Sequence, residues 1–524
     1  MKKTLFLVAL LMISCQAAQQ TGKTEMQPKT PDYNPLPYEA VITETELTEK
    51  LYTYASDDFQ GRDTGSPGQK KAVNYLKEQY EAMGIPAAKS DGDYFQKVPL
   101  QRNSLPDASV RIGDRTYTIG EDFAAFNGPR EITLAMENIV FAGYGIETDT
   151  YSDYKGLDVE GKIVLVKAGE PVKEDGLYVL SGTDTPTPAW SNISQAVASK
   201  RKVAESKKAA ALLFYDEGNT QMIMRQYQMV KGRTGGRMSL SQNDEDTFFM
   251  LFVNSQIATA LYPEINQSAK AQTLSVPINI SLKGTSDPID SENVIALIKG
   301  SEKPDEYLVI SAHLDHVGII KDQIYNGADD DGSGTVALLQ IAKAFKKAAD
   351  EGNGPRRSVV FLHFTAEEKG LLGSEYYAED PVFPLEQTVA NLNIDMIGRI
   401  DPKRTGDRNY IYLIGSDRLS SELHQLSEDV NTRYSQMALD YKYNDVNDPN
   451  RFYYRSDHYH FAKNNVPVIF YFNGTHADYH KHTDTPDKIE YDLLTNRTKL
   501  IFHTAWEIVN REDRIVVDQP SPTE

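Results

Sequence analysis

The sequence predicts an α/β protein: a sheet covered by helices on both faces, interrupted by a separate inserted segment. Two observations carry this. From Ser291 onward, strand-like apolar runs alternate with helical patterns, the signature of a sheet sandwiched between helices. Between about Ser109 and Lys283 the texture changes, and no dense set of ligand-type side chains appears.

The elements follow in chain order. Residues 1–15 carry Lys2 and Lys3 ahead of the apolar run Leu5–Ile13. That run is too short to span a bilayer and reads as an export signal. Cys15 is the only cysteine, so an internal disulfide and a thiolate metal cluster are both excluded. Met12-Ile13-Ser14-Cys15 resembles a bacterial lipobox, which implies lipid anchoring at Cys15 in the cell envelope, at the periplasm or outer membrane. The alternative is an exported protein cleaved near Ala17 or Ala18. Residues 16–39 are rich in Gln, Thr, Lys and Pro and are expected to be a tether.

Glu44 to Met83 shows helical periodicity broken by the polar turn DDFQGRDTGSPGQ, with Leu76, Tyr80 and Met83 on one face. In the insert, Ile139–Gly145 and Gly161–Val166 are strand-like, and SQAVASKRKVAESKKA is helical and runs into Ala209–Phe214. Beyond Ser291 the strand candidates are 293–298, 307–312, 358–364, 391–397, 410–414 and 466–472. A helix with Leu338, Ile341, Ala342 and Phe345 on its apolar face is expected to be capped by Asp331 or Ser333. Residues 516–524 are expected to be a loose tail.

The net charge of −20 excludes a nucleic-acid-binding surface of the usual basic kind. It fits a solvated acidic surface or one that attracts cations.

The chemistry gathers at strand ends, where ligands of such sheets collect. His313 and Asp315 follow the 307–312 strand, with the run Asp329-Asp330-Asp331 soon after. Glu367 and Glu368 follow the 358–364 strand. Asp395 lies near the end of the 391–397 strand, and His480 follows the last strand. Three adjacent carboxylates past a buried strand repel one another unless something positive sits among them. Two divalent cations neutralise the set most simply. A two-metal hydrolytic site needs a carboxylate bridging ions about 3.5–4 Å apart, a His and a carboxylate on each ion, and an unligated carboxylate to move a proton. The Glu367–Glu368 pair supplies both one ligand and one base.

These residues resemble the M28 family of zinc peptidases. The likeness rests on His313-Leu314-Asp315, the turn Gly327 to Gly334, Glu367-Glu368, Asn393-Ile394-Asp395-Met396-Ile397-Gly398 and Tyr479-His480. It implies a three-layer α/β/α zinc-peptidase domain with a central mixed sheet, acting on peptides with two Zn2+ ions. It further implies that Asp330 bridges the ions, His313 and Asp395 complete one, and Glu368 and His480 the other. Glu367 is implied as general base and acid, and Asp315 as the residue orienting His313. The family often has Pro where this chain has His482. Tyr479-His480 fits the motif position, so His480 is the favoured ligand.

Segment 109–286 resembles a β-rich protease-associated insert, on Gly143-Tyr144-Gly145, Asp153-Tyr154-Lys155-Gly156 and Gly161 to Leu165. The catalytic domain is then split into 40–108 and 287–515. Asp457 and His458 in YYRSDHYHF resemble a family segment near the substrate pocket, and serve either structure or substrate contact. In the insert, Arg225, Arg233 and Arg237 flank a glycine-rich loop; it is either a solvated loop or a hold for a substrate carboxylate. His316 is expected at the rim and His363 in the core. The overall expectation is an aminopeptidase. The alternatives are a glutamate-releasing type of carboxypeptidase and a non-catalytic surface binding protein.

Overall fold

A computed structural model describes residues 33–128, 131–232, 236–241 and 247–519. Two sheets organise it. The larger has eleven strands. Its spine runs Ala438–Asp440, Tyr410–Ile414, Val468–Phe472, Thr388–Ile394, Lys303–His313, Arg357–Phe364, Ile278–Ile298, Phe95–Ile112 and Arg115–Thr118. Four central strands are parallel: Arg357–Phe364, Lys303–His313, Thr388–Ile394 and Val468–Phe472. Antiparallel neighbours on both sides make the sheet mixed.

Parallel strands buried on both faces read as unbroken apolar runs, as in VVFLHF and VIFYF. Along Lys303–His313 the residues alternate between two cores. Leu308, Ile310 and Ala312 face the helices Pro67–Met83, Gly334–Asp350 and Tyr491–Asn510, through Tyr80, Phe345 and Trp506. Tyr307 and Val309 face the opposite layer, with Tyr377 and Phe461 from two short helices. The three layers expected from the sequence are therefore present.

The second sheet belongs to the insert. Its order is Gln272–Leu274, Ile139–Phe141, Ile163–Lys167, Ala211–Tyr215, Phe249–Val253 and Phe123–Ala124, with a parallel centre. Helices Ile193–Ser206, Thr220–Lys231 and Ser255–Leu261 accompany it, so this segment is an α/β unit in its own right.

Four expected boundaries move. No break separates the domains at 108/109 or 286/287. Phe95–Ile112 and Ile278–Ile298 instead form one long antiparallel ribbon that crosses both positions. Residues 33–39, expected within the tether, are held: the Trp506 indole donates to the Tyr33 carbonyl, and Tyr38 stacks on that ring at 5.4 Å. Within the expected tail, residues 516–519 are held. Val516 N–H donates to Glu422, and Asp518 accepts from Ser421. Among the described residues no helix is long and apolar enough to cross a membrane.

Candidate metal centre

All four parallel strands end at one edge, and each hands a loop to the same site. Lys303–His313 ends on His313 itself, which is 1% exposed. Its Nδ1–H donates to the Asp315 carbonyl at 3.0 Å, which leaves Nε2 free. Nε2 faces Asp330 Oδ1 at 3.1 Å and Asp395 Oδ1 at 3.7 Å. The other oxygen of Asp330, Oδ2, faces His480 Nε2 at 3.0 Å, and His480 Nε2 stands 3.2 Å from Glu368 Oε2. Asp330 thus lies between two clusters, one oxygen toward each.

The neighbours of Asp330 shape the turn. The Asp331 carboxylate accepts N–H bonds from His313, Gly334 and Met396. It therefore caps the helix that starts at Gly334, while the Ser333 hydroxyl turns back to Asp329. Asp329 accepts from Gly398 N–H and the Asn473 amide, with His476 Nε2 3.1 Å away. Asp484, fully buried, accepts from the N–H groups of both Asp329 and Asp330. The peptide between Asp330 and Asp331 is cis.

Asp395 is aimed by a buried polar chain. Ser456 Oγ donates to Asp395 Oδ2 at 2.7 Å and receives from Asn393. Arg62, from the early polar turn, is buried and bonds the carbonyls of Tyr54, Leu314, Asn326 and Gly327. It ties the loop after His313 to the chain that enters the acidic run.

Electrostatics follow from this crowding. Burial opposes charge on His313, but Glu367, Asp330 and Asp395 outweigh it and hold the imidazole well above its ordinary value. Burial likewise opposes charge on His480, yet Asp330 and Glu368 push it up to about 10. Burial and then Asp330 act against the Glu368 carboxylate, but the imidazoles of His316 and His480 bring it down to about 2. For Glu367 the His313 imidazole is not enough to offset its surroundings. Burial, with Asp395, Glu368 and Asp457 nearby, raises it well above the carboxylate range. The two adjacent glutamates are thus driven apart, the pattern that separates a ligand from a proton carrier.

The donor set fits divalent cations. Donor atoms 3.0–3.7 Å apart suit ligands sharing one small ion, for which a tetrahedral site gives about 3.3 Å. Asp330 Oδ2 and Glu368 Oε1 are buried without a hydrogen-bond partner, a costly state unless a cation satisfies them. Glu367 groups with His313 and Asp395, and His316 with Asp330 and Glu368, as sets close enough to hold an ion.

Several expectations change. The Asp315 carboxylate does not reach His313 within hydrogen-bond range; Oδ1 is 4.0 Å from Nδ1. It accepts instead from Glu367 N–H and Thr64. His316 is not at the rim but fully buried, 2.7 Å from Glu368. His458 stacks on Phe470 at 4.7 Å, and burial lowers it to about 3, so it is a packed wall residue. Asp457 is buried behind Glu367, and burial raises it to about 7. Arg237 is exposed on a strand paired with Leu100–Asn103. None of Arg237, Asp457 and His458 lines the cavity beside the centre. Arg225 is exposed on a helix, and Arg233 lies outside the described residues. His482 is exposed against the Tyr325 ring, whereas His480 enters the cluster. His363 is in the core, bonded to the Tyr80 hydroxyl.

The cavity is lined by Asp330, Glu367, Asp395 and His480 on the polar side. Met396, Phe452, Phe470 and Phe472 form the apolar side, with Arg455, Thr475 and Tyr479. Phe452 and Arg455 were not singled out from the sequence. They share the RFYYRSDHYHF segment with Asp457, the only signal that marked them.

Comparison with known proteins finds the following likenesses. The chain is 25% identical over 437 residues to a probable leucine aminopeptidase 2 of Aspergillus oryzae, covering 82% of this chain and 71% of that protein. It is 36% identical over 119 residues to the probable glutamate carboxypeptidase LAMP1 of Arabidopsis thaliana, covering 22% of this chain and 16% of that one. Among solved structures, an aminopeptidase from Aneurinibacillus sp. strain AM-1 superposes with a TM-score of 0.48 at 20% identity, covering 93% of this chain and 98% of that one. Residues 293–505 match Peptidase family M28. That stretch holds His313, Asp330, Glu367, Glu368, Asp395 and His480.

Proposed function

We propose that this chain is a zinc-dependent aminopeptidase that removes N-terminal residues from peptides. The observation that carries the reading is the position of Asp330, with one oxygen toward His313 and Asp395 and the other toward His480 and Glu368. His313, Asp330 and Asp395 would hold one Zn2+, and Asp330, Glu368 and His480 a second. A divalent ion bound there polarises a peptide carbonyl and makes water nucleophilic near neutral pH. Glu367, half-buried on the cavity wall and free of a cationic partner at hydrogen-bond distance, takes the proton from that water and returns it to the leaving amine. Asp315 fixes the Glu367 backbone, and Ser456 holds Asp395 in place.

The apolar wall of Met396, Phe452, Phe470 and Phe472 suits a bulky apolar side chain at the substrate's first residue. The free amine, a cation, is seated by the acidic rim.

Segment 109–286 acts as a protease-associated insert that borders the site. Its Met238 packs with Ala366 and Leu372, on either side of the Glu367–Glu368 loop. The sequence signals at Lys2, Leu5–Ile13 and Cys15, all outside the described residues, support export and lipid anchoring in a bacterial envelope.

One observation favours a second reading, a carboxypeptidase. Arg455 lines the cavity, and a guanidinium suits a C-terminal carboxylate. Arg399 offers no such help, because it is engaged with Asp478 at 3.0 Å and lies 3.7 Å from Asp484. Comparing free and N-acetylated dipeptides as substrates separates the two readings.

A further inference from the structure

Three imidazoles, rather than two, reach the carboxylates of the centre. We propose that His316 is a direct ligand of the ion held by Asp330, Glu368 and His480. The proposal rests on the metallopeptidase reading and deepens it.

His316 is 0% exposed, and neither ring nitrogen has a hydrogen-bond partner among the described residues. An imidazole has a lone pair and a proton to satisfy, and burying both without partners is unfavourable. Its Nδ1 is 2.7 Å from Glu368 Oε1 and 3.9 Å from Asp330 Oδ2. Glu368 Oε1 and Asp330 Oδ2 are both buried without an aligned hydrogen-bond donor, so one cation among the three atoms would satisfy them all.

The ring is also held in place. A Cβ on Gly327 would fall 2.4 Å from His316 Cδ2, and Gly327 has φ +53°, so only glycine leaves room there. The His316 N–H donates to the Arg62 carbonyl at 3.3 Å, and Arg62 in turn clamps the Gly327 carbonyl. His480 is different: it is exposed, on the loop that follows the last parallel strand. The Glu368 side of the centre therefore has one fixed imidazole and one on an exposed loop.

This makes the two sides unequal. Asp330, Glu368, His316 and His480 supply four protein donors, the number that closes a zinc site. His313, Asp330 and Asp395 supply three, which leaves a position open for water or substrate on the His313 side.

The test uses full-length protein stripped of metal and titrated with Co2+, read by visible absorption and by metal content after dialysis. His316→Ala is expected to weaken one of two equivalents by more than the about 10–100-fold that loss of a merely orienting partner costs, and to change the cobalt spectrum. His480→Ala is expected to keep two equivalents at reduced affinity for one. The double variant is expected to keep only one. His316→Gln retains a hydrogen-bond donor of similar reach and is expected to behave like His316→Ala. Thermal unfolding without metal checks that each variant folds. Wild-type affinity and spectrum in His316→Gln would make His316 an orienting residue and overturn the proposal. Two unchanged equivalents in His316→Ala would overturn it as well, while leaving the metallopeptidase reading intact. A wild-type protein that binds no divalent ion would overturn both.

Discussion

The backbone N–H of Glu367 donates to Asp315 Oδ1 across 3.0 Å. This bond joins the loop after one parallel strand to the loop after its neighbour, and so fixes the proposed base relative to the proposed ligand His313. His313 keeps its own partner, the Asp315 carbonyl, whatever side chain Asp315 carries. Asp315→Ala is therefore expected to lower kcat about 10–100-fold with metal content unchanged. Metal analysis beside steady-state kinetics checks it; loss of metal would return Asp315 to the role of holding His313.

The adjacent glutamates are expected to separate cleanly. Glu367→Gln removes the base and leaves every ligand, so turnover falls by about 10²–10⁴ while zinc stays bound. Glu368→Gln removes a ligand, so zinc is lost on dialysis. Equal metal loss in both variants would contradict this division.

In the acidic run, Asp330→Asn is expected to empty the centre while the fold survives without metal. Asp331→Asn has the opposite profile. Its carboxylate accepts three backbone N–H bonds, and an amide there turns a donor toward one of them. A loss of about 1–3 kcal/mol is expected in denaturant unfolding of metal-stripped protein. A greater metal loss in Asp331→Asn than in Asp330→Asn would shift the bridging position by one residue.

A pH-dependent contact closes the chain's beginning onto its last helix. Hydrogen bonding to His503, against the cost of burial and with Lys499 helping, brings Glu39 down to about 2. A depressed carboxylate stabilises the fold fully above its unfolded value of about 4.3, and that contribution fades as pH falls toward 2. Glu39→Gln is expected to melt below wild type at pH 6, with the gap narrowing between pH 5 and 3. A gap independent of pH would assign Glu39 a packing role alone.

Much of this centre was legible in the sequence because its donors sit at strand ends, where apolar runs stop and charge begins. The runs around Val309, Val360 and Phe470 gave the sheet, and the residues just past them gave the site. His316 was misplaced because three residues beyond a strand the backbone direction is set by tertiary contacts, here the bond to Arg62. Arg62 itself looked like any polar turn residue, since three of its four carbonyl partners lie more than 250 positions away. The insert boundaries failed for a different reason. The ribbon from Phe95 and Ile278 has a continuously polar middle, Arg102-Asn103-Ser104 opposite Asp287-Ser286-Thr285, which resembles a linker until its pairing is seen.

The central claim is tested most directly by offering zinc-loaded protein leucyl dipeptides with a free amine and the same compounds N-acetylated. The account predicts rapid cleavage of the free set and little of the acetylated set, because the acidic rim seats a cationic amine and acetylation removes that charge. Cleavage of the acetylated set with release of C-terminal Glu or Asp would contradict it and assign Arg455 to a substrate carboxylate.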